Sequence, residues 1–140
     1  MSQENVEIVQ RRYEALNRRD LEGSLQDLHP DAEVDWSESF GVQRGMYRGI
    51  GEIRRFWEEW LEVFEEIDIR PEAFITVGEH VVVPNRGYFR GRDGVGVDAS
   101  SASVFKLRDG KIVSQRLYQD KEAALETLRL SEQDAHADSS

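Results

Sequence analysis

Apolar residues recur at helical spacing along the first positions of the chain. Val6, Val9, Tyr13 and Leu16 stand between charged neighbours, which predicts a helix from about Ser2 to Arg18 with a single buried stripe. Asp20 is placed to cap a second, short helix on which Leu21, Leu25 and Leu28 share a face. His29-Pro30-Asp31 ends it, because the residue before a proline is pushed out of the helical region. A short strand is expected from about Glu33 to Ser37. Four glycines between Phe40 and Gly51 read as a loop. The clearest helix follows, with Ile53, Phe56, Trp57, Trp60, Leu61 and Phe64 forming a wide apolar stripe and Glu58, Glu59 and Glu62 outside it.

The period then changes to two. Ile67, Ile69, Pro71, Ala73, Ile75 and Val77 alternate with Asp68, Arg70, Glu72, Phe74 and Thr76, as a half-buried strand does. Gly78-Glu79 turns the chain into a second strand, about His80 to Gly91, whose Pro84 cannot donate to a ladder and signals an edge position or a bulge. After Arg92-Asp93-Gly94, a third strand runs from about Val95 to Arg108. A fourth runs from Lys111 to Gln119, across Asp109-Gly110, the strongest short-range hairpin signal. A helix from about Lys121 to Leu128 closes the ordered chain. The pattern predicts one α+β domain over residues 1–130 and a polar, disordered tail over 131–140. The helices pack on one face of an antiparallel meander and are too few to cover it, leaving a cavity beneath Trp57 and Trp60.

At 140 residues the chain is the size of one domain. Its 18 basic and 28 acidic side chains give a formal charge of -10, which argues against nucleic acid or an anionic membrane surface as partner. Cysteine is absent, so no thiolate chemistry or Cys-based metal site is available. The polar, acidic opening Met1-Ser2-Gln3-Glu4-Asn5 lacks the pattern of a secretory signal, and no apolar run reaches the length of a membrane span. A cytoplasmic location is expected.

The stretches "VQRRYEALNRRDLEG", "LHPDAEVDW", "YRGIGEIRRFWEEWLEVF" and "LRDGKIVSQRLYQDKEAALETL", in that order and spacing, resemble the SnoaL-like branch of the nuclear transport factor 2-like superfamily. Ketosteroid isomerase and limonene epoxide hydrolase belong to the same superfamily. The resemblance implies a cone-shaped, curved antiparallel sheet with helices on its concave face, as in cystatin-like folds, a pocket within it, and a homodimer formed through sheet surfaces. It implies no single chemistry, since relatives include polyketide cyclases, isomerases, hydrolases and members without known activity.

Asp120 is the leading candidate for chemistry, because enzymatic relatives use a carboxylate near this strand end as acid or base. The same residue stands where a helix N-cap belongs, and that reading stays open. Alternation along the last strand places Ile112, Ser114, Arg116, Tyr118 and Asp120 on one face and Val113, Gln115, Leu117 and Gln119 on the other. Arg116, Tyr118, Arg86 and Tyr88 are the candidate donors to a developing oxyanion. Cross-strand salt bridges are the competing role for the arginines, and packing for the tyrosines.

Trp36, Tyr47, Trp57, Trp60, Ser101, Ser103 and Phe105 are expected around the substrate, with Asp35 and Asp98 turned away. The absence of a carboxylate among Ser101, Ser103 and Phe105 departs from the epoxide hydrolase pattern. His29, His80 and His136 have no metal-ligand spacing. Neither a metal nor any other cofactor is expected. The leading function is a cofactor-independent isomerase, cyclase or hydratase acting on a small apolar carbonyl-bearing molecule. The alternatives are a non-catalytic ligand-binding module and a dimeric scaffold.

Overall fold

The computed structural model describes residues 2–37 and 45–129. Helices α1 (Ser2–Asn17), α2 (Leu21–Leu25) and α3 (Gly49–Val63) pack against one face of a sheet. The sheet's strands are β1 (Leu28–Asp35), β2 (Met46–Arg48), β3 (Phe64–Pro71), β4 (Ile75–Val77), β5 (His80–Gly91), β6 (Gly96–Arg108) and β7 (Lys111–Tyr118). Their order is β2-β1-β7-β6-β5-β3, with β4 also paired to β5. Pairing is antiparallel except between β1 and β7. The curved α+β architecture expected from the sequence is present. A fourth helix, α4, spans 121–129. The expected tail, from residue 130 on, and residues 38–44, which include the first part of the expected loop, lie outside the described residues.

The apolar stripes point where their spacing requires. Ile8, Val9, Tyr13 and Leu16 of α1 and Ile53, Phe56, Trp57 and Trp60 of α3 are buried in one core with Val81, Val83, Phe105, Leu107 and Ile112 of the sheet. Polar contacts fix the helices on this layer. The Asn17 side chain forms two 2.8 Å hydrogen bonds with the backbone of Ile69, one as donor and one as acceptor. Arg19 donates to the carbonyls of Leu61 and Phe64 at the end of α3, satisfying acceptors that a helix C-terminus leaves open. Asp20 caps α2 by accepting from the Gly23 N–H at 3.0 Å.

Five local expectations need correction. The helix after Asp20 stops at Leu25, and β1 begins at Leu28 with Pro30 inside it. Pro30 falls within the irregularity of the β1–β7 register between Leu28 and Glu33, where a missing donor breaks no regular ladder. The supposed loop ahead of α3 contains β2, with Tyr47 opposite Val34. The long strand through Val77 is two strands, because Phe74 turns into the main core and Ile75 and Val77 pack on the opposite sheet face. Pro84 lies in the interior strand β5, not at an edge. Its carbonyl accepts from the Glu72 N–H at 2.7 Å, so its donorless nitrogen faces the interruption between β3 and β4. Finally, α4 does not join the other helices. Its Ala124 and Leu128 pack on the outer face against Val82, Ala102, Val104 and Tyr118.

The β6–β7 hairpin turns through Asp109 (φ 52°) and Gly110 (φ 76°), the two consecutive left-handed residues of a type I′ turn. A side chain at the second position meets the steric cost of that region. Gly110→Ala is expected to lower stability by about 1–2 kcal/mol, measured by urea unfolding; no change would mean that the turn relaxes to another type.

Candidate functional site

A cavity of about 670 Å³ opens between the inner sheet face and helices α1 and α3, within the range of small-molecule sites. One wall is aromatic. Trp57 and Trp60 project from consecutive turns of α3 and meet Trp36 at the end of β1, with ring centroids 5.9 and 5.2 Å from it and near-perpendicular planes. Phe89 closes on Trp60 at 4.9 Å. Its ring lies across Gly87, where an added Cβ would meet it at 2.6 Å, so the glycine makes room for the aromatic wall. Val63, Val95 and Val97, each more than half exposed, stand among the lining residues at the open side.

The base of the cavity is polar. On α1, Arg12 sits between Val9 and Tyr13 on the buried stripe and is only 2% exposed. Its Nε and Nη2 donate to Gln115 Oε1, each at 3.3 Å, and Nη1 donates to the Ser24 carbonyl. Its guanidinium stands 5.8 Å from the Trp57 ring centroid. Burial lowers its pKa to about 10, so it remains cationic at neutral pH. The Tyr13 hydroxyl accepts from Asn85 Nδ2 at 3.2 Å. Burial raises this phenol to about 12, which keeps it protonated. Ser101 donates to Asn85 Oδ1 at 3.1 Å. At its base a cation and a connected set of neutral hydrogen-bonding groups therefore face a largely apolar chamber, whose lining also includes the exposed Asp93 and Asp98.

Trp36, Trp57, Trp60, Ser101, Ser103 and Phe105 line this cavity as expected. Tyr47 does not. It stacks on Phe56 at 4.5 Å from β2 and is absent from the lining. Arg86 and Tyr88 belong to the outer face, because Asn85, Gly87 and Phe89 occupy the inward positions of β5. Arg116 is also outside, where it pairs with Asp35 at 3.6 Å and lies 5.0 Å from the Tyr118 ring centroid. Tyr118 is among the residues lining the cavity, while its side chain belongs to the outer cluster beneath α4.

A bulge in β7 overturns the faces expected from strict alternation. Lys106 and Leu107 pair with Ser114 and Ile112, leaving Val113 as the extra residue and reversing the faces beyond it. Gln115 and Leu117 consequently turn inward. Asp120 is exposed, and its Oδ1 accepts from the Ala123 N–H at 2.8 Å. It caps α4 and is no cavity carboxylate. His29 also has a local role, its Nδ1 accepting from the Asp31 N–H at 3.0 Å.

Sequence reasoning missed Arg12, Asn85 and Gln115. The first two carried a signal, since each is a polar residue at a position whose period assigns it to the core. Gln115 carried the same signal only once the bulge is known. Among the described residues no group of three or more His, Asp or Glu side chains is placed to hold a metal, and no helix is long and apolar enough to cross a membrane.

The sequence matches the SnoaL-like domain family over residues 9–115. The chain belongs to that family. Solved structures agree with this SnoaL-like assignment. TerC, crystallised with polyporic acid, is 26% identical, with 88% of this chain and 96% of TerC covered and a TM-score of 0.74. A nuclear transport factor 2-like protein of unknown function from Burkholderia pseudomallei is 25% identical, with 88% and 95% covered and a TM-score of 0.74. SalBIII, an epoxide hydrolase/cyclase-like enzyme of pyran ring formation in salinomycin, shares the fold at 20% identity, with 87% and 96% covered and a TM-score of 0.73. No curated protein matches the sequence.

The cap assignment of Asp120 has a direct consequence. Asp120→Ala is expected to cost about 1 kcal/mol of stability, whereas Asp120→Asn, which preserves an acceptor, changes it by a few tenths at most. Chemical denaturation of both variants checks this. Equal losses in the two would remove the cap as the residue's role.

Proposed function

We propose that this SnoaL-like protein is a small-molecule enzyme of the cyclase or isomerase kind, acting on a largely apolar, carbonyl-bearing substrate held beneath α3. The observation that carries the reading is the pairing of an indole-walled cavity of about 670 Å³ with a buried polar base. The apolar walls bind and fold the substrate, and bringing reacting ends together removes an entropic barrier. The protonated Tyr13 hydroxyl and the Arg12 guanidinium are the groups suited to steady negative charge that develops on the carbonyl oxygen. Among the described residues no buried carboxylate stands beside them, so the proposed chemistry rests on orientation and oxyanion stabilisation. The likeness to TerC, crystallised with polyporic acid, supports a cyclic organic ligand for this cavity.

A second reading, ligand binding without turnover, is favoured by the exposed, capping position of Asp120. Thermal-shift screening with polyketide-, steroid- and terpene-like compounds, followed by mass spectrometry of each stabilising compound after incubation, separates the two. The enzyme reading predicts product formation. It also predicts that Tyr13→Phe retains the thermal shift while losing about 10²-fold in rate, the usual cost of deleting one oxyanion donor. Stabilisation without product supports the binding module. Absence of any stabilising compound contradicts both.

A further inference from the structure

We infer that the cavity's ligand carries a carboxylate and seats it against Arg12. The inference rests on the reading of the cavity as a small-molecule site and adds the charge of what enters it. Arg12 is the only charged side chain buried among the described residues. Three of its five N–H groups are engaged, all by neutral acceptors, Gln115 Oε1 and the Ser24 carbonyl. No carboxylate pairs with it among the described residues. This is unusual in a chain with 28 acidic side chains, since a buried ion is ordinarily paired.

A guanidinium whose only purpose was to tie α1 to α2 and β7 would be served as well by an uncharged donor, without the desolvation that removing a cation from water entails. Its position instead matches a preorganised receptor. Gln115 and Ser24 fix its plane, Trp57 lies against it, and Arg12 itself lines the chamber. Arg offers a planar fork of donors suited to a carboxylate. An anion arriving there gains a counter-ion in surroundings of low polarity and relieves the unpaired charge.

The test uses matched probes that differ only in charge: 2-naphthoate against 2-naphthamide, and anthracene-2-carboxylate against its carboxamide. Affinities are measured by calorimetry at pH 7.5 on the wild-type protein, on Arg12→Gln, and on Gln115→Glu, which supplies an internal counter-ion. The expected result is that wild type binds each acid at least 10-fold more tightly than its amide. Both variants should lose that preference while still binding the amides. If Arg12→Gln does not fold, Gln115→Glu carries the comparison. Equal affinity for acid and amide in the wild type would overturn the inference and leave the cavity a site for neutral ligands. An acid preference that persists in the folded variants would also overturn it, by placing anion recognition elsewhere. Failure of all four probes to bind would count against the small-molecule reading as well as the charge assignment.

Discussion

Trp36, Phe56, Trp57 and Trp60 meet between α3 and the end of β1 with centroid separations from 5.0 to 6.0 Å. Aromatic pairs at such distances contribute about 0.5–1.5 kcal/mol each beyond the burial of their area. They fix α3 against the strand that pairs in parallel with β7, and so set where the helical layer sits on the sheet. Their bulk has a second effect. Rings of this size hold the helix away from the strands, and the remaining space between α1, α3 and the inner sheet face is the cavity. The indole Nε1 atoms of all three tryptophans are buried without a hydrogen-bond partner among the described residues, so this wall gives up polar satisfaction for aromatic packing.

The polar base works against the stability of the fold. A buried guanidinium that meets only amide and carbonyl oxygens retains part of its desolvation cost, as its lowered pKa records. The Tyr13–Asn85–Ser101 contacts are different, because their members are neutral and satisfy one another. The same chamber therefore contains a rigid neutral network and a cation with unused electrostatic capacity. Folding alone explains the first, and the second is what the proposed ligand would use.

Much of this arrangement was legible in the sequence, for identifiable reasons. The stripe through Ile53, Phe56, Trp57 and Trp60 has one period and little competing chemistry, so the helix and its buried face could be read together. Asp109-Gly110 specified its turn through backbone preference alone. The site was harder because it departs from periodicity. Arg12 occupies a core position on α1, yet its charge marks it as a surface residue in any reading that sorts by polarity. Val113 adds a single residue to β7 and exchanges the faces beyond it, exposing Arg116 and turning Gln115 inward. Such a bulge is set by pairing with neighbouring strands, which the local pattern does not contain. Asp120 was ambiguous for another reason, since one side chain fits both a helix cap and an active-site acid, and only its hydrogen bond to Ala123 decides.

On the proposal above, the chamber beneath α3 receives a ligand whose charged oxygen meets Arg12 while its apolar body rests on the tryptophans. A crystal structure of the protein soaked with anthracene-2-carboxylate tests this most directly. The expected result is carboxylate oxygens within hydrogen-bonding distance of the Arg12 guanidinium, about 2.7–2.9 Å for a charge-assisted bond, and the fused rings against Trp57 and Trp60. A chamber closed by its own side chains, or a probe whose carboxylate lies away from Arg12, would contradict it.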